Sequence, residues 1–463
     1  MKVFNSYGQT LEEFTPLNGN KVTMYVCGPT VYDVPHLGHA RCYITWDVVY
    51  RYLKFKGFDV TYARNITDVD DKIINKAKAQ NTTPKEISTK FAGEFHKAMD
   101  ALNLLSPDIE PKATENIDEM LKLIGELVEN GYAYESQGDV YFEVDKFSRY
   151  GNLSKQSIKD LESGARVETS DIKRNLLDFA LWKKTKDENE ICWESPYGKG
   201  RPGWHIECSA MSRKYLGTTI DIHAGGADLQ FPHHENEIAQ SECASGKPFA
   251  KYWLHNGFVT INNEKMSKSL GNFTSIEALL KAYDANTIKL FILTNHYRQP
   301  VEFNDAALES ATSGAQRLKN AINDVKTACG VDEIQPILDR ENSFVKTFEE
   351  AMDEDFNTSK ALSVLFELAN LAQKEKEENK EKALEYAGLL LGISGVLGFD
   401  FGKKAELSDG VTQGLMDLII DIRKDARAEK NWALSDKIRD GLSALGITLK
   451  DNKDGKTTYE IKK

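Results

Sequence analysis

The stretch KVTMYVCGPT, residues 21–30, joins an apolar, β-branched run to a Gly-Pro-Thr break. This pattern predicts a strand over residues 21–27 that ends in a loop. A helical pattern follows over about 39–56, and a second strand is predicted over 59–65, after Gly57. Strand, loop, helix and strand in this order open a doubly wound parallel α/β fold of the Rossmann-like type.

Beyond this opening, the pattern divides the 463 residues into further units, because one hydrophobic core stops growing well below this length. A hairpin pattern over 132–144 and an irregular stretch predict an insertion. Alternation resumes with a helix near 205–215, a strand over 218–223, a Gly225-Gly226 turn, a helix from about 232 to 243 and a strand over 252–261. The predicted segments are a two-part Rossmann-like domain (1–115 and 203–262), the connective insertion (116–202), a region with a polar loop (263–340), a helical bundle (341–405) and a small C-terminal unit (406–463).

Helical periodicity predominates after Thr274. Two apolar helix faces support the predicted bundle. They comprise Ala361, Val364, Leu365, Leu368 and Ala372 on one helix, and Leu415, Leu418, Ile419 and Ile422 on another.

Composition is that of an ordinary globular protein, with 41% hydrophobic and 28% charged residues. The N-terminus lacks an apolar leader and no run approaches the roughly 20 apolar residues that span a bilayer, so we expect a cytoplasmic protein without a membrane partner. Its six cysteines are sparse and irregularly spaced, which favours reduced thiols over disulfides. The net charge of -12 means that a nucleic-acid partner would have to meet local basic patches.

The sequence PHLGH, residues 35–39, stands after the first strand and at the mouth of the first helix. A helix N-terminus offers free N–H groups and partial positive charge, Gly38 permits close approach, and His36 and His39 can bind phosphate. Structural packing or capping is an equally good explanation of these histidines taken alone.

The sequence EKMSKSLGN, residues 264–272, is a polar loop. Lys265 and Lys268 could stabilise the charge that builds on a nucleotide's phosphates. A lysine-rich loop is ordinarily exposed surface. This loop, however, follows the last strand of the sheet, as the 35–39 turn follows the first, so both are expected to border one cleft. We therefore predict His36, His39, Lys265 and Lys268 as catalytic residues.

A metal site is also indicated. His233 and Glu237 are four residues apart in a predicted helix, so both side chains can grip one ion. Cys27 ends the first strand, and Cys208 lies in the helix that begins the second half of the sheet. Two cysteines, a histidine and a carboxylate suit zinc, either in a catalytic site or in a closed site that braces the fold.

The two loops resemble the two signatures of class I aminoacyl-tRNA synthetases. Residues 265–269, KMSKS, match the second without departure, and Leu37 replaces the isoleucine common in the first. The flanking CGPTVYD (27–33), GWHIECSAM (203–211) and HAGGADLQFPHHENE (223–237) resemble the cysteinyl-tRNA synthetases of that family. The likeness extends from about residue 20 to the C-terminus.

This resemblance implies one Zn²⁺ per chain, Mg²⁺ bound with ATP, and a monomer. It makes 263–340 the phosphate-loop and stem-contact region and 406–463 the anticodon-binding region. The zinc ligands would be Cys27, Cys208, His233 and Glu237. ATP would contact His36, Gly38, His39, Asp228 and Lys268. The amino acid would contact Thr30, Thr67, Trp204 and His223. The anticodon would contact Arg427, Trp432, Asp436 and Asp451.

Some of these roles have plain structural alternatives. Trp204 could be a core residue, and Asp228 could be a turn-forming carboxylate. The basic stretch 423–439 around Trp432 could equally be an amphipathic helix with a solvated face.

The implied activity is ATP-dependent formation of cysteinyl adenylate, followed by transfer to the terminal adenosine of tRNA(Cys). Two thiolates, a carboxylate and a neutral imidazole leave a divalent ion at about -1, so it should bind the thiol of L-cysteine and not the alcohol of serine. Such selection makes a separate editing domain unnecessary. Two rival hypotheses are a cysteine ligase acting on an amino sugar, which would lack the anticodon region, and a catalytically silent, zinc-containing RNA-binding paralogue.

Overall fold

The computed structural model describes residues 1–155, 172–185, 190–261, 264–266, 273–402, 409–451 and 457–461. The chain forms two compact units, Met1–Gly402 and Lys403–Lys463. None of the described helices combines the length and the hydropathy needed to span a bilayer.

The centre of the first unit is a parallel sheet of four strands. These are β3 (Lys21–Val26), β4 (Asp59–Arg64), β9 (Ile220–Gly226) and β10 (Ala250–Asn256). They lie in the order β10-β9-β3-β4. The chain leaves β3 toward β4 on one side and later returns to β9 on the other. The carboxyl ends of β3 and β9 therefore form a topological switch point, where ligands bind in doubly wound folds.

Helix α1 (Leu37–Phe55) packs its long apolar face into the core, with Trp46 fully buried. The Nδ1 atom of His36 accepts a hydrogen bond from the Gly38 amide at 3.1 Å, and Nδ1 of His39 accepts one from the His36 amide at 3.1 Å. These reciprocal bonds satisfy amide groups that a helix start leaves unpaired. The helix consequently begins two residues before its predicted start.

Other elements frame this sheet. An N-terminal hairpin pairs β1 (Lys2–Asn5) with β2 (Thr10–Glu13). The predicted strand 252–261 is interrupted, because β10 ends at Asn256 and β11 begins at Val259. The helices of this part are α2 (Asp71–Gln80), α3 (Pro84–Ala101), α5 (Trp204–Leu216) and α6 (Glu235–Ser245). The strands β11 (Val259–Ile261), β12 (Glu264–Lys265) and β13 (Val301–Glu302) form a small separate sheet in the order β12-β11-β13.

The insertion contains helix α4 (Ile117–Glu129) and an antiparallel sheet. The sequence predicts only its first hairpin, β5 (Ala133–Ser136) and β6 (Asp139–Phe142). The sheet continues with β7 (Phe179–Lys184) and β8 (Gly200–Pro202), in the stretch predicted to be irregular. These strands are short and far apart in sequence, so periodicity alone does not reveal them.

The remainder of the first unit is helical and confirms the predicted bundle. Its helices are α7 (Ile276–Ala282), α8 (Ala285–Leu293), α9 (Asp305–Cys329), α10 (Ser343–Asp353), α11 (Thr358–Glu375) and α12 (Lys380–Val396). The predicted apolar face of α11 is buried, as Leu365 and Leu368 show.

The second unit contains α13 (Asp409–Ala428), α14 (Trp432–Ala444) and a hairpin of β14 (Ile447–Asp451) and β15 (Thr457–Ile461). The prediction that the Leu415 face of α13 is a core face is wrong. Leu415, Leu418 and Ile422 are 44%, 56% and 45% exposed, whereas Met416 and Ala426 are buried. Helical spacing identifies one apolar stripe but does not say whether a neighbour covers it.

Candidate metal and nucleotide site

Four buried side chains converge beyond the carboxyl end of β3. The Sγ atom of Cys27 lies 3.9 Å from Sγ of Cys208 and 3.4 Å from Oε1 of Glu237. The Nε2 atom of His233 lies 3.0 Å from the same carboxylate oxygen. Tetrahedral zinc, with bonds of about 2.0–2.3 Å to nitrogen and sulfur, separates its ligands by about 3.3–3.8 Å. The four donors therefore fit one tetrahedral ion.

The local structure around His233 differs from the prediction. Helix α6 begins at Glu235, and His233 lies in the π-type turn of residues 230–234 that precedes it. The spacing of four residues still brings the His233 ring against the Glu237 carboxylate, because the kink in the turn lies earlier, at Phe231, and the backbone is helical at His234 and Glu235.

His223 and His234 form a second possible donor set with two of the same four residues. The orientation of Glu237 favours the first set. Its Oε2 atom lies 2.8 Å from Nε2 of His223, while Oε1 faces His233. Nε2 of His234 is 4.0 Å from Oε1, and its other ring nitrogen contacts His255 at 2.8 Å. We assign His223 as a hydrogen-bond partner that orients the carboxylate from behind.

A second histidine supports the candidate ligand His233. The Nδ1 atoms of His205 and His233 lie 3.0 Å apart, so one ring must donate and the other must accept. Burial lowers the pKa of His205 well below its ordinary value, which favours its neutral form. In the neutral ring that binds a metal, donation from Nδ1 of His233 to His205 leaves the Nε2 lone pair of His233 facing Cys208 and Glu237.

The electrostatics of the four donors favour a cation. The hydrogen bond with Cys27 lowers the pKa of Cys208 to about 6, whereas burial and the same contact raise the pKa of Cys27 well above its ordinary value. Burial alone would lower the pKa of His233, but Glu237 and Cys208 outweigh it and raise this pKa to about 10. Burial opposes ionisation of Glu237, yet its two histidine neighbours hold its pKa well below the ordinary range. Negative charge thus concentrates in a dry cluster, where a metal ion would neutralise it.

A cavity of about 290 Å³ lies beside this cluster. Cys27 forms part of its wall, together with His36, Gly38 and His39 of the predicted phosphate turn. Trp204 completes another side, with its ring stacked on His233 at 4.3 Å between centroids. One cavity therefore joins a candidate metal centre to a helix N-terminus suited to phosphate.

The two predicted phosphate-binding segments meet at this cavity. The amide of Leu37 donates to the carbonyl of Thr274 at 3.0 Å, and a side chain on Gly38 would meet Met266 at 3.6 Å. Lys265 pairs with Thr260 through the β11–β12 ladder. The Lys265 side chain and all of Lys268 lie outside the described residues, so their catalytic roles remain predictions.

The predicted amino-acid and nucleotide contacts fall into two groups. Thr30, Trp204 and Asp228 line the cavity. Thr67 and His223 are 1% and 0% exposed and lie behind it. Thr67 donates to Glu207 at 2.9 Å, and His223 contacts Glu237. These two residues would therefore affect the amino acid indirectly, by orienting side chains of the site.

The four predicted anticodon residues lie in the second unit. Asp451 accepts hydrogen bonds from Arg423 at 2.8 and 3.0 Å and from Arg427 at 2.8 Å. Asp436 pairs with Arg439 at 3.0 Å. Trp432 is 57% exposed at the start of α14. This unit therefore presents an aromatic ring and guanidinium groups, which suit unpaired bases and phosphates.

Sequence reasoning missed three residues that support the cluster: Asn65, His205 and Glu207. Asn65 follows β4, accepts from the Gly28 amide at 2.8 Å, and lies 3.6 Å from Sγ of Cys208. Burial raises the pKa of Glu207 well above its ordinary value. For Asn65 the available signal was its position directly after a parallel strand, at the edge where sites form, whereas His205 and Glu207 lie within α5 and carry no such signal.

Comparisons with known proteins cover most of the chain. Residues 13–313 match the family described as tRNA synthetases class I (C) catalytic domain, and residues 347–402 match the DALR domain. A protein of Fusobacterium nucleatum named cysteine–tRNA ligase is 50% identical, with 100% of both chains covered. One of the same name from Clostridioides difficile is 47% identical over 98% of this chain and 99% of its own.

Solved structures share the fold at low identity. Mycobacterium tuberculosis methionyl-tRNA synthetase in complex with methionyl-adenylate gives a TM-score of 0.57 at 16% identity, over 81% of this chain and 89% of that one. A LeuRS–tRNA–LeuAMS complex from Agrobacterium radiobacter gives 0.59 at 11% identity, over 84% and 86%. These likenesses establish the architecture alone.

Proposed function

Because this chain belongs to the class I tRNA synthetases and, within them, to the cysteine–tRNA ligases, we propose that the cavity beside Cys27 binds ATP and L-cysteine and forms cysteinyl adenylate for transfer to tRNA(Cys). Ligation of cysteine to tRNA is the activity of the family. The assignment of individual side chains to each step is our proposal.

One observation carries the proposal: Cys27 is at once a member of the metal-ligand set and part of the wall of the cavity that contains the His36–Gly38–His39 turn. A substrate sulfur directed at this set would lie in the same enclosure as a nucleotide's phosphates. Such proximity converts a two-substrate reaction into one between neighbouring groups.

Cys27, Cys208, His233 and Glu237 would hold one Zn²⁺ per chain. When bound, the ion supplies a soft cation that coordinates a thiolate in preference to an alcohol. His223, His205 and Asn65 would keep the ligands oriented. Selection by a specific polar contact can reject an analogue by about 10⁴-fold or more, so discrimination against serine would need no editing domain.

A second group of residues would bind ATP together with Mg²⁺. His36, Gly38 and His39 would hold the phosphates at the helix start, with Asp228 as a further nucleotide contact and Thr30 and Trp204 around the amino acid. The carboxylate of cysteine attacks the α-phosphorus and pyrophosphate leaves. Lys265 and Lys268 would stabilise the charge that develops on the leaving group. The terminal ribose hydroxyl of the tRNA then attacks the cysteinyl carbonyl, and AMP leaves.

The tRNA would be recognised at its anticodon by Arg427, Trp432, Asp436 and Asp451. We propose that α13, α14 and their hairpin form the anticodon-binding region, which an amino-sugar ligase would lack. We also propose that the protein acts as a monomer. Its proposed location is the cytoplasm, because its substrate is the tRNA pool that supplies translation.

Two assays test the proposal. Exchange of labelled pyrophosphate into ATP should depend on cysteine, and serine should give a rate lower by about 10⁴-fold. Purified tRNA should then accept labelled cysteine. Exchange without charging would favour the amino-sugar ligase, and the absence of both would favour the silent paralogue. Rapid exchange with serine would contradict the proposed thiol selection.

A further inference from the structure

Arg41 is a buried guanidinium two residues beyond His39, with 1% of its surface exposed. Its Nη1 atom donates to the Ile292 carbonyl at 2.9 Å. Its Nη2 atom lies within 3.1 Å of the carbonyls of His296, Tyr297 and Gln299. Ile292 lies in the last turn of α8, so Arg41 supplies donors and positive charge where helix carbonyls are left unpaired.

Arg41 binds carbonyls of the segment 294–300, and this segment leads into the small sheet. The Gly257 amide donates to the Tyr297 carbonyl at 2.8 Å, and a side chain at Gly257 would lie 2.5 Å from the Gln299 carbonyl oxygen. The segment then enters β13, where the Val301 amide donates to the Phe258 carbonyl at 2.9 Å. Arg41 and the Gly257–Phe258 turn thus hold the same short segment from two sides.

The small sheet in turn positions the second phosphate-binding segment. β11 pairs with β13 on one edge and with β12 on the other, and β12 contains Lys265. The Met266 amide donates to the Val259 carbonyl at 2.9 Å. A continuous path of backbone contacts therefore runs from Arg41, through residues 294–302, to the hairpin that leads into the lysine loop.

We propose that Arg41 is a positioning residue for adenylate formation: it fixes the spacing between the His36–His39 turn on its own helix and the Lys265 hairpin. This inference rests on the proposed function of the two motifs. Both motifs must face one triphosphate at the same moment, and a misplacement of about 1 Å can cost on the order of 100-fold in rate. A guanidinium suits the task because its planar fork can bind several carbonyls at once, whereas a lysine ammonium has three donors at a single point.

The test compares Arg41→Lys and Arg41→Met with Arg51→Met. Arg51 is a control on the same helix, because it also donates to a backbone carbonyl, that of Asn103 at 3.1 Å, but lies ten residues, or nearly three turns, from Arg41. It pairs with Asp47 at 2.7 Å as well, so its variant is compared at equal folded fraction. The wild-type protein must first show cysteine-dependent exchange of pyrophosphate into ATP; failure there refutes the proposed function and is separate from the present inference.

We expect Arg41→Lys to lower kcat for exchange by roughly 10- to 100-fold. Zinc content and the Kd for cysteine should remain within error of the wild type, because Arg41 is not one of the proposed metal ligands. The thermal midpoint should fall in both Arg41 variants, because buried carbonyls lose donors. Arg51→Met should retain the wild-type kcat. The inference is overturned if folded Arg41→Lys exchanges at the wild-type rate, if Arg51→Met loses as much, or if zinc and cysteine binding fall in parallel with kcat. If Arg41→Met unfolds, Arg41→Lys alone decides.

Discussion

The sulfur atoms of Cys27 and Cys208 lie 3.9 Å apart although 181 residues separate them in the chain. Cys27 follows the central strand β3, and Cys208 lies in α5, which packs beside β3 and β4 after the insertion. The two halves of the catalytic domain are therefore joined at the point where the chemistry is proposed to occur. A metal ion bound by both cysteines would therefore link the two halves of the domain and stabilise the site.

Replacement of Cys208 by serine tests this junction. A hydroxyl is a poor soft ligand, so we expect Cys208→Ser to lose most of its zinc and, with it, most of its affinity for cysteine. Metal analysis of the purified protein and equilibrium binding of cysteine measure the two quantities. Wild-type zinc content together with ordinary cysteine affinity would contradict the ligand assignment.

Cys243→Ser is the matched control for that experiment. Cys243 is also a buried thiol, 7% exposed, but it belongs to neither candidate donor set within the described residues. Cys243→Ser replaces the same sulfur atom by oxygen, but at a buried position outside the proposed metal site. Zinc content and cysteine affinity should therefore stay unchanged, and a parallel loss would show that Cys208→Ser acts through general destabilisation.

Lys268→Ala tests the lysine loop. Removal of one preorganised charge from a developing anion costs about 10²- to 10³-fold in kcat, and we expect this loss in pyrophosphate exchange with zinc content unchanged. Lys281→Ala is the control, since Lys281 is exposed on α7 and pairs with Glu277 at 2.7 Å. Near-normal exchange by Lys268→Ala would exclude the catalytic role.

Gly38→Ala tests the close approach at the phosphate turn. A Cβ atom at Gly38 would lie 3.0 Å from Cε1 and 3.1 Å from Nδ1 of His36, which is tighter than ordinary van der Waals contact. The imidazole must shift, and we expect the KM for ATP to rise about 10-fold or more. Gly93→Ala is the control within α3, because no described atom outside its own helix lies within 4 Å of the added carbon. It should stabilise the fold by about 1 kcal/mol, and an unchanged KM in Gly38→Ala would contradict the steric argument.

Much of the site could be predicted from the sequence because its residues stand at the ends of recognisable strands. Cys27 and the 35–39 turn follow β3, and periodicity with a Gly-Pro break locates that strand to within one residue. The strand order β10-β9-β3-β4 could not be derived in this way, since pairing depends on contacts between distant segments. The doubly wound interpretation gave the fold class and no strand order.

The side chains that support the site from behind show more clearly what the sequence could not predict. His205 gives the same sequence signal as any histidine in a helix, and only packing places it 3.0 Å from His233. Arg41 resembles a surface arginine in sequence, yet its guanidinium is buried among carbonyls from residues 292–299. Sequence patterns therefore identified residues at strand ends and helix starts better than the partners that packing brings to them.

Lys289 provides a stability test with a defined sign. Burial lowers its pKa from 10.5 to about 8, and its ammonium donates to the carbonyls of Asn103 at 3.0 Å and Gly398. Between pH 8 and 10.5 the unfolded chain holds a proton that the folded chain has released, so this group makes the fold more stable as pH rises, by at most about 3 kcal/mol. In Lys289→Met that rise should be missing, as measured by urea unfolding at pH 8 and pH 10. The exposed Lys281→Met should keep it, and parallel pH profiles for wild type and Lys289→Met would refute the assignment.

Replacement of Trp432, a proposed anticodon contact, tests binding of the tRNA separately from formation of the adenylate. Its ring is 57% exposed, in a unit whose Arg423 and Arg427 already share Asp451, so stacking on a base is the contribution that truncation removes. Stacking on an aromatic side chain contributes about 1–3 kcal/mol, and Trp432→Ala should therefore lower kcat/KM for tRNA by roughly 10- to 100-fold. Cysteine-dependent pyrophosphate exchange should not change, because the cavity beside Cys27 is intact. Leu445→Ala removes another exposed apolar side chain of the same unit, 76% exposed, and should charge tRNA at the wild-type rate. Equal losses in the two variants would indicate general damage to the unit, and unchanged charging by Trp432→Ala would show that the ring does not read the tRNA.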